Sequence, residues 1–447
     1  MNQYVAFSVG EIVDVTFRDE FGPLEVDGSR EMALQDAYRG GSNHGFDITF
    51  HPTNWLSAYM AFGSIKAYST PSTTPSTIKP PVGSGDPSQI WLLSDVASGT
   101  PAAADDVYIG STDQGVNVVQ YDGTNKFLYV DGTVGAGIAV GSTIQDDGSS
   151  PSWTATVAGF VHTLERATSL PYFSAYGITE EDNGLEYAGG HVEAYSVSYT
   201  QGGLMQCSLT GQALTLNTSN AKTTGTQAND FSATEPSTYF VRNSMYVPCT
   251  AGRKVGAGVA NIFRFESQDT SNRSVKIMLS TNQDADGSGS ADGLGEDISG
   301  DPNSDPFTNG ADWVPYTYSI EMGFSNTFER GPINNDADAD YFLKGDHENT
   351  LTLNVDLPNE SASSGTAHRN SGTMRAMVKN SDGGRVNADI QFGLENGQAL
   401  IVHYRNLKLF GLPRSFENSI RLALNFFVLE QPEMTVIDDL YDWVVYT

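Results

Sequence analysis

The amino-acid sequence predicts a mainly β fold, a β-rich α+β chain with few helices. Three observations lead to this fold class. The 447 residues include 46 glycines among many Thr, Ser, Asn and Asp residues, a composition typical of turns. Short apolar runs alternate with polar residues at a period of two, as in strands with one buried face. Helical periodicity is confined to two short stretches. The expected architecture is two tandem β-sandwich or barrel domains, each with one short helix, and a small inserted β module.

The two helices are predicted over 51–62 and 368–380. Pro52 suits the start of the first helix, because proline is favoured in a first helical turn. The apolar residues at helical spacing are Trp55, Leu56, Tyr59 and Met60 in the first helix, and Met374, Met377 and Val378 in the second. Alternating strands are predicted beside them, at 45–50 before the first helix and at 386–392 after the second.

Hairpin sequences occur in both halves of the chain. Residues 191–216 predict two strands around a glycine turn, and residues 316–331 followed by 345–358 look like their counterpart. In the first strand of each hairpin, alternation places three side chains on one face. They are Tyr195, Val197 and Tyr199 in the first half of the chain, and Tyr318, Ile320 and Met322 in the second. The recurrence of these elements predicts a weak internal duplication.

The predicted domains are residues 1–225 and 226–447, with a polar stretch rich in Thr, Ser and Asn between them. Prolines in 69–89 cannot join sheet ladders and predict an extended linker. Period-2 strands between Gly and Asp turns follow it, so a linker and inserted β module are expected to interrupt the first domain at about 69–161. An acidic loop is predicted in the second domain at about 284–306.

The charge is strongly acidic, with 54 Asp and Glu against 24 Lys and Arg and a formal net charge of −30. Such a surface repels free nucleic acid and anionic membranes. Adaptation to very high salt and an acidic binding face are the two explanations. The acids are spread along the whole chain, which favours salt adaptation, because molar salt shortens the screening length to about 3 Å.

The cysteine content and the hydropathy bear on the cellular compartment in which the protein is expected. Cys207 and Cys249 are the two cysteines; they could form one disulfide, but buried free thiols are the expected state. The first residues, MNQYVAFSVGEIVDVTFRDE, have neither a basic region nor an apolar run, and no stretch approaches the roughly 20 apolar residues that span a bilayer. We therefore expect neither secretion through a signal peptide nor membrane insertion.

Motifs for cofactor or metal binding are incomplete. Two glycine-rich stretches, 134–141 and 255–262, lack the last glycine of a dinucleotide fingerprint, because Val140 and Asn261 stand there. The stretch 284–296 resembles a calcium loop, but its twelfth position is a glycine and the bidentate carboxylate is missing. The sequence therefore predicts no cofactor and no metal site.

Catalytic motifs are also missing from the sequence. Alternate acids that could share a strand face are Asp336, Asp338 and Asp340, but no histidine is placed to complete an acid–base site. Neither H-E-x-x-H nor G-x-S-x-G occurs. We predict no catalytic residue and expect that the protein is not an enzyme.

The order of the elements is the most informative feature. The first half has a strand, a helix and an FGS ending in GSREMALQDAYRGGSNHGFDITFHPTNWLSAYMAFGS, followed later by SLPYFSAYGITEEDNGLEYAGGHVEAYSVSYTQGGLMQCSLTGQAL. The second half has RFESQDTSNRSVKIML, YTYSIEMGFSNTFERG, LKGDHENTLTLNVDLP and the closing GQALIVHYRNLKLFGLPRSFENSIRLALNFFVLE. In this order the chain resembles the tail tube proteins of long-tailed bacterial and archaeal viruses, in their doubled-domain form. The module at 90–161 and the loop at 284–306 have no counterpart in that family.

This resemblance implies a structural virion protein. Subunits of the family complete their neighbours' sheets to form rings, and the rings stack into a hollow tube that delivers viral DNA. The duplication favours a homotrimeric, pseudo-hexameric ring over a homohexamer. The implied partners are copies of the chain itself, tape-measure and tail-terminator or tip proteins, and viral DNA in transit. The implied location is the virion tail after synthesis in the host cytoplasm, and the acidity predicts a halophilic archaeal host and a carboxylate-lined lumen.

Two other functions are compatible with the sequence. The first is a halophilic cell-surface or adhesin-type β protein whose module at 90–161 binds glycan; the missing secretion signal argues against it. The second is a polysaccharide-active enzyme with Asp336, Asp338 or Glu348 as catalytic carboxylates, which would have to lie about 5–10 Å apart across a cleft.

Overall fold

The computed structural model describes a large part of both halves of the chain. The described residues are 10–27, 34–52, 55–65, 89–123, 126–131, 138–167, 170–178, 184–200, 203–219, 275–281, 312–313, 317–330, 342–356, 385–393, 399–411, 414–416 and 420–438. The predicted helix at 368–380 and the acidic loop at 284–306 lie outside them.

Within these residues the chain consists of strands and a single helix. The elements up to residue 219 are β1 (Gly10–Asp27), β2 (Leu34–Pro52), α1 (Leu56–Phe62), β3 (Gly63–Ile65), β4 (Gln89–Ser98), β5 (Asp106–Ile109), β6 (Thr112–Asp122), β7 (Phe127–Val130), β8 (Thr143–Gln145), β9 (Thr154–Arg166), β10 (Phe173–Ile178), β11 (Gly184–Thr200), β12 (Gln206–Ala213) and β13 (Thr215–Ser219). The later strands are β14 (Val275–Thr281), β15 (Asp312–Trp313), β16 (Thr317–Arg330), β17 (Phe342–Asp356), β18 (Arg385–Gly393), β19 (Ala399–Gly411), β20 (Arg414–Phe416), β21 (Ile420–Val428) and β22 (Glu433–Asp438). The predicted β-rich fold class is confirmed.

Most strands belong to one antiparallel sheet, which we call the main sheet. Its order is β1-β2-β12-β11-β16-β17-β21-β19-β18-β14-β15, with β20 beside β21 and β22 beside the first half of β19. The first half of β11 pairs instead with β10 and β13 in a second, smaller sheet. Strands from both halves of the chain thus share the main sheet, while the division into two domains at residue 225 stays a prediction.

The main sheet curls over one apolar core. The predicted alternation is confirmed, because Tyr195, Val197 and Tyr199 are all buried on one face of β11. Their neighbours across the ladder on β16 are Phe324, Met322 and Ile320. The rings of Tyr199 on β11 and Phe392 on β18 meet edge to face at 6.2 Å, although five strand-to-strand steps separate these strands within the sheet. This contact across the core gives the sheet its sandwich character.

Helix α1 lies inside this core. Its buried side chains are Leu56, Ser57, Ala58, Tyr59, Ala61 and Phe62. The predicted helix at 51–62 is confirmed for its second part, but its predicted start at Pro52 is wrong. Residues His51 and Pro52 instead continue the β1–β2 ladder, where they pair with Glu11 and Gly10. The His51 imidazole also bonds the Met205 carbonyl at 2.9 Å, which holds this segment in the sheet.

Strands β4 to β9 form a closed barrel, which we call the six-strand barrel. The ladder runs β4-β7-β6-β5-β8-β9 and returns to β4. Its interior is a separate apolar cluster: Trp91, Leu93, Val107, Val116, Val118, Leu128, Val130, Ile138, Ile144, Trp153, Ala155, Val157 and Phe160. Closure leaves no free edge in a sheet of this kind, which is how small barrels satisfy their backbone groups.

Strand β9 joins the barrel to the main sheet. Its first part pairs with β8 and β4, whereas residues 160–164 pair with β22 and residues 164–166 pair with β3. A small apolar cluster lies at this junction, with Ile401 of β19 and Ile437 of β22 packed among residues of the barrel wall. The barrel wall residues of the cluster are Ile90, Leu92, Val119, Phe127, Tyr129 and Val161.

Candidate functional surface

The face of the main sheet opposite the core is lined by small hydroxyl and amide side chains. Because cross-strand partners share a face, we define the set by register and leave out Ser319, which shares the register but is buried. We call it the hydroxyl face, and its members on β2, β12, β11, β16 and β17 are Thr49, Gln206, Ser208, Thr210, Ser196, Ser198, Thr200, Ser325, Thr350, Thr352 and Asn354. All of them are partly or fully exposed.

The hydroxyl face is continuous across the strands. One row runs Thr49, Ser208, Ser196, Gly323 and Thr350. Thr49 Oγ1 and Ser208 Oγ lie 3.2 Å apart, within hydrogen-bond distance. A Cβ on Gly323 would lie 2.6 Å from Thr350 Oγ1, so a larger residue in this row would require the Thr350 side chain to shift. The result is a polar surface built largely from short side chains.

The hydroxyl face contains acids but no Lys or Arg among its described residues on these five strands. The interspersed acids are Asp47, Glu321 and Glu348. Basic groups lie on strands outside these five: Arg18 Nε on β1 is 3.2 Å from Asp47 Oδ2, and the exposed Lys408 on β19 shares the face through Phe427 and Thr350. A phosphate passing over these five strands would therefore meet hydroxyls and carboxylates, neither of which forms an ion pair with it. Uncharged hydroxyl side chains outnumber the acids on these strands.

The main sheet ends in an open strand, β1. Among the described residues, β2 is the one strand that hydrogen-bonds to β1. Residues 12–16 of β1 are exposed, and three of them are large and apolar: Ile12 at 55%, Val13 at 52% and Val15 at 38%. We call this segment the β1 edge. Unpaired strand edges with apolar side chains are sites where another chain can add a strand.

Beyond the sheet, β1 and β2 continue as a two-stranded ribbon. Pairing with β12 stops at His44, but the β1–β2 ladder continues from Asp19 to Asp27 on one strand and to Leu34 on the other. An isolated two-stranded hairpin is marginally stable in water. A ribbon of this length is therefore typical of a segment that packs against a further surface.

Histidines lie near acids and hydroxyls in the interior. His162 Nε2 is 3.6 Å from Asp438 Oδ1, with both side chains at most 10% exposed. His403 Nε2 is 3.1 Å from Thr435 Oγ1, which in turn lies 3.0 Å from Thr163 Oγ1. A hydroxyl next to an imidazole is the geometry of an activated nucleophile. All three residues of this second group are buried, so its hydroxyl has no surface from which to meet a substrate.

Cys207 is a buried free thiol in the core, as predicted. Burial raises its pKa to about 12, and the hydrogen bond from Tyr195 Oη, 3.4 Å away, opposes that rise only in part. Burial likewise raises the pKa of Tyr195 well above its ordinary value. Both groups are therefore neutral at physiological pH, and the thiol is not a nucleophile.

Most residues weighed as catalytic or metal ligands lie outside the described part of the chain. This applies to Asp336, Asp338, Asp340 and the stretch 284–296; Cys249 and Asn261, from the disulfide and dinucleotide-motif predictions, lie outside it as well. Glu348 is described, and it lies exposed on β17 within the hydroxyl face. Val140 is exposed in the six-strand barrel, next to Gly141 at φ 90°, as expected for a glycine turn.

Within the described ranges, no group of three or more His, Cys, Asp or Glu residues is arranged to hold a metal ion. The same ranges contain no helix that is long and apolar enough to cross a bilayer. The hydroxyl face itself was not singled out from the sequence, although its signal was present. Ser196, Ser198 and Thr200 alternate with the apolar residues that identified the β11 strand.

No model of a protein family matches the chain, and no curated protein matches it either.

Proposed function

We propose that this chain is a structural subunit that polymerises through its sheet edges and acts as a conduit wall, not as a catalyst. Within that class, the particular role is the major tail tube subunit of a tailed virus of a halophilic archaeon. Rings of the subunit, homotrimeric and pseudo-hexameric, stack into the hollow tube through which viral DNA is delivered. The mature protein is located in the virion tail.

The observation that carries the proposal is the construction of the main sheet. One face is covered by α1 and the apolar core, the other is the hydroxyl face, and the sheet ends at the exposed β1 edge. A tube wall needs the same three properties: an apolar layer for stability, a polar layer for a wet lumen and an edge for the next subunit. The β1–β2 ribbon supplies further surface for contacts between subunits.

The hydroxyl face suits the lumen of such a tube. DNA binds proteins mainly through ion pairs between phosphates and Lys or Arg side chains. The five strands of the hydroxyl face offer none among their described residues on this face, and the acids Asp47, Glu321 and Glu348 repel phosphate. DNA would pass with few contacts that hold it. Tape-measure and tail-terminator or tip proteins complete the list of partners.

Electron microscopy of the purified protein in molar potassium chloride tests the proposal. At rising protein concentration we expect stacked rings or hollow rods, whose symmetry can be read from the images. The double variant Ile12→Lys, Val13→Lys should stay monomeric, because two added charges on the β1 edge oppose strand pairing. Sedimentation velocity gives the same comparison in solution.

Val140→Lys is the matched control, since Val140 is equally exposed at 44% but lies on the six-strand barrel. This variant should assemble like the natural chain. A natural chain that remains monomeric at every protein and salt concentration would overturn the proposal. If the double variant assembled like the natural chain, the β1 edge would not be the contact between subunits.

A further inference from the structure

Arg166, at the end of β9, is a partly buried cation whose contacts are with uncharged groups. Its Nη1 donates to the Ala61 carbonyl at 3.0 Å, and its Nη2 donates to the Ser325 carbonyl at 2.6 Å. Nη2 also lies 3.3 Å from His347 Nδ1, which must accept because a guanidinium only donates. The guanidinium carbon is 5.3 Å from the centre of the Phe62 ring.

No carboxylate balances this charge among the described residues. Ion pairs among these residues include those of Arg18 with Asp47 and Glu193 and of His162 with Asp438, and none of them involves Arg166. Burial lowers the pKa of Arg166 to about 10, so the group remains a cation at neutral pH. A buried charge without a counter-charge is costly, and proteins usually pair it.

Tyr404 on β19 lies on the same face of the sheet as Arg166, two strands away across β22, but it is neutral. Its ring stacks on Phe324 with centres 6.5 Å apart, and Phe324 contacts Phe62 beneath the guanidinium at 5.0 Å. Burial raises the pKa of the Tyr404 phenol far above its ordinary value, although the positive charge of Arg166 opposes that rise. The phenol therefore keeps its proton and is a hydrogen-bond donor.

Three polar atoms in this cluster are buried without a hydrogen-bond partner. They are Arg166 Nε, Tyr404 Oη and Asn326 Oδ1. Asn326 belongs to the cluster because its Nδ2 donates to the same Ala61 carbonyl at 3.2 Å and to the Val192 carbonyl at 2.9 Å. Those two bonds fix the amide orientation, so its Oδ1 cannot be exchanged for a donor.

We infer that the cluster of Arg166 and Tyr404 binds a small monovalent anion, chloride in the first instance, in the interior beside α1. Two unpartnered donors, Nε–H and Oη–H, belong to a site with an uncompensated positive charge. A chloride ion accepts from both and neutralises the guanidinium, whereas a water molecule would satisfy hydrogen bonds and leave the charge. The ion would tie β9 and β19 to the end of α1.

Thermal unfolding at constant potassium concentration and ionic strength tests the site, with potassium chloride replaced stepwise by potassium gluconate. General screening of the acidic surface is then the same in every sample. The natural chain should gain stability with chloride in a saturable manner. Tyr404→Phe keeps the ring and removes one donor, so its apparent chloride affinity should fall about tenfold or more.

Tyr195→Phe is the matched control, because Tyr195 is an equally buried tyrosine whose hydroxyl bonds Cys207. It should respond to chloride like the natural chain. Crystals grown in bromide should show an anomalous peak beside Arg166 Nε and Tyr404 Oη. Three results would each overturn the inference. Tyr404→Phe and the natural chain could respond equally to chloride, neither could respond to chloride, or the crystals could show a water molecule at the expected bromide position.

Discussion

His191 is buried between two aromatic rings where β11 passes from the small sheet into the main sheet. Its ring centre is 4.1 Å from that of Tyr172 and 5.3 Å from that of Phe328. Burial lowers the pKa of His191 below 6.5, and a hydrogen bond with the backbone of Pro171 opposes this only partly. The imidazole is therefore neutral in the folded protein at neutral pH.

The buried imidazole makes stability depend on pH. The unfolded chain binds a proton at His191 from about pH 6.5 downward, while the folded chain binds it only at lower pH. Stability should thus fall as the pH drops below about 6.5, until the pKa of the folded state is reached. In His191→Phe, which keeps an aromatic ring, the loss of stability between pH 7 and pH 5 should be smaller, as measured by urea unfolding.

Tyr172→Phe is the control for this prediction, since it retains the stack and His191. Its pH dependence should match that of the natural chain. If His191→Phe and the natural chain lost the same stability between pH 7 and pH 5, His191 would not be the source of the pH dependence.

At the scale of the element, strand β12 depends on a glycine. A Cβ on Gly211 would lie 2.5 Å from Cζ of the buried Phe46 ring on the neighbouring β2. Phe46 is itself packed edge to face against Tyr187 at 5.8 Å, so it cannot move freely. The absence of a side chain at Gly211 therefore allows β12 to pair with β2 without a clash with the Phe46 ring.

Gly211→Ala should lower the free energy of unfolding by about 1–3 kcal/mol, the usual effect of overpacking a core. Chemical denaturation followed by far-ultraviolet circular dichroism measures the change. Gly123→Ala provides the comparison, because its Cβ would meet no atom closer than 3.4 Å, an ordinary contact with Tyr121. If both variants were equally stable, the contact with Phe46 would not be restrictive.

Local sequence patterns predicted the individual strands and the helix better than they predicted which elements pack or pair with one another. The alternation of Tyr195, Val197 and Tyr199 was sufficient to predict β11 and its buried face. The start of α1 was misplaced because Pro52 suits a helix equally well, and only the ladder with β1 keeps it in a strand. Arg166 was not identified at all, since its partners Ala61 and Ser325 lie more than a hundred residues away and present only backbone carbonyls.

At the scale of the whole molecule, the six-strand barrel and the main sheet share β9 and an apolar junction. Ile437 is 1% exposed and packs with Ile401 and the barrel wall. Because the shared strand cannot leave one unit without leaving the other, we expect the two to unfold together.

Ile437→Ala should reduce the free energy of unfolding by about 2–5 kcal/mol, the range for removing a buried isoleucine. Hydrogen exchange followed by mass spectrometry should then show faster exchange in β6 of the barrel and in β16 of the main sheet alike. Val140→Ala, at an exposed barrel position, should change neither. Acceleration confined to β6 would mean that the barrel opens independently.

The shared strand β9 also determines how the molecule bears mechanical load. A force applied to the barrel is directed along β9 into its ladders with β22 and β3. Strands pulled along their length must break all their hydrogen bonds together, whereas strands peeled from one end lose them singly. The barrel is therefore coupled mechanically to the main sheet, and a pull on its surface is shared with the strand that leads to Arg166 and α1.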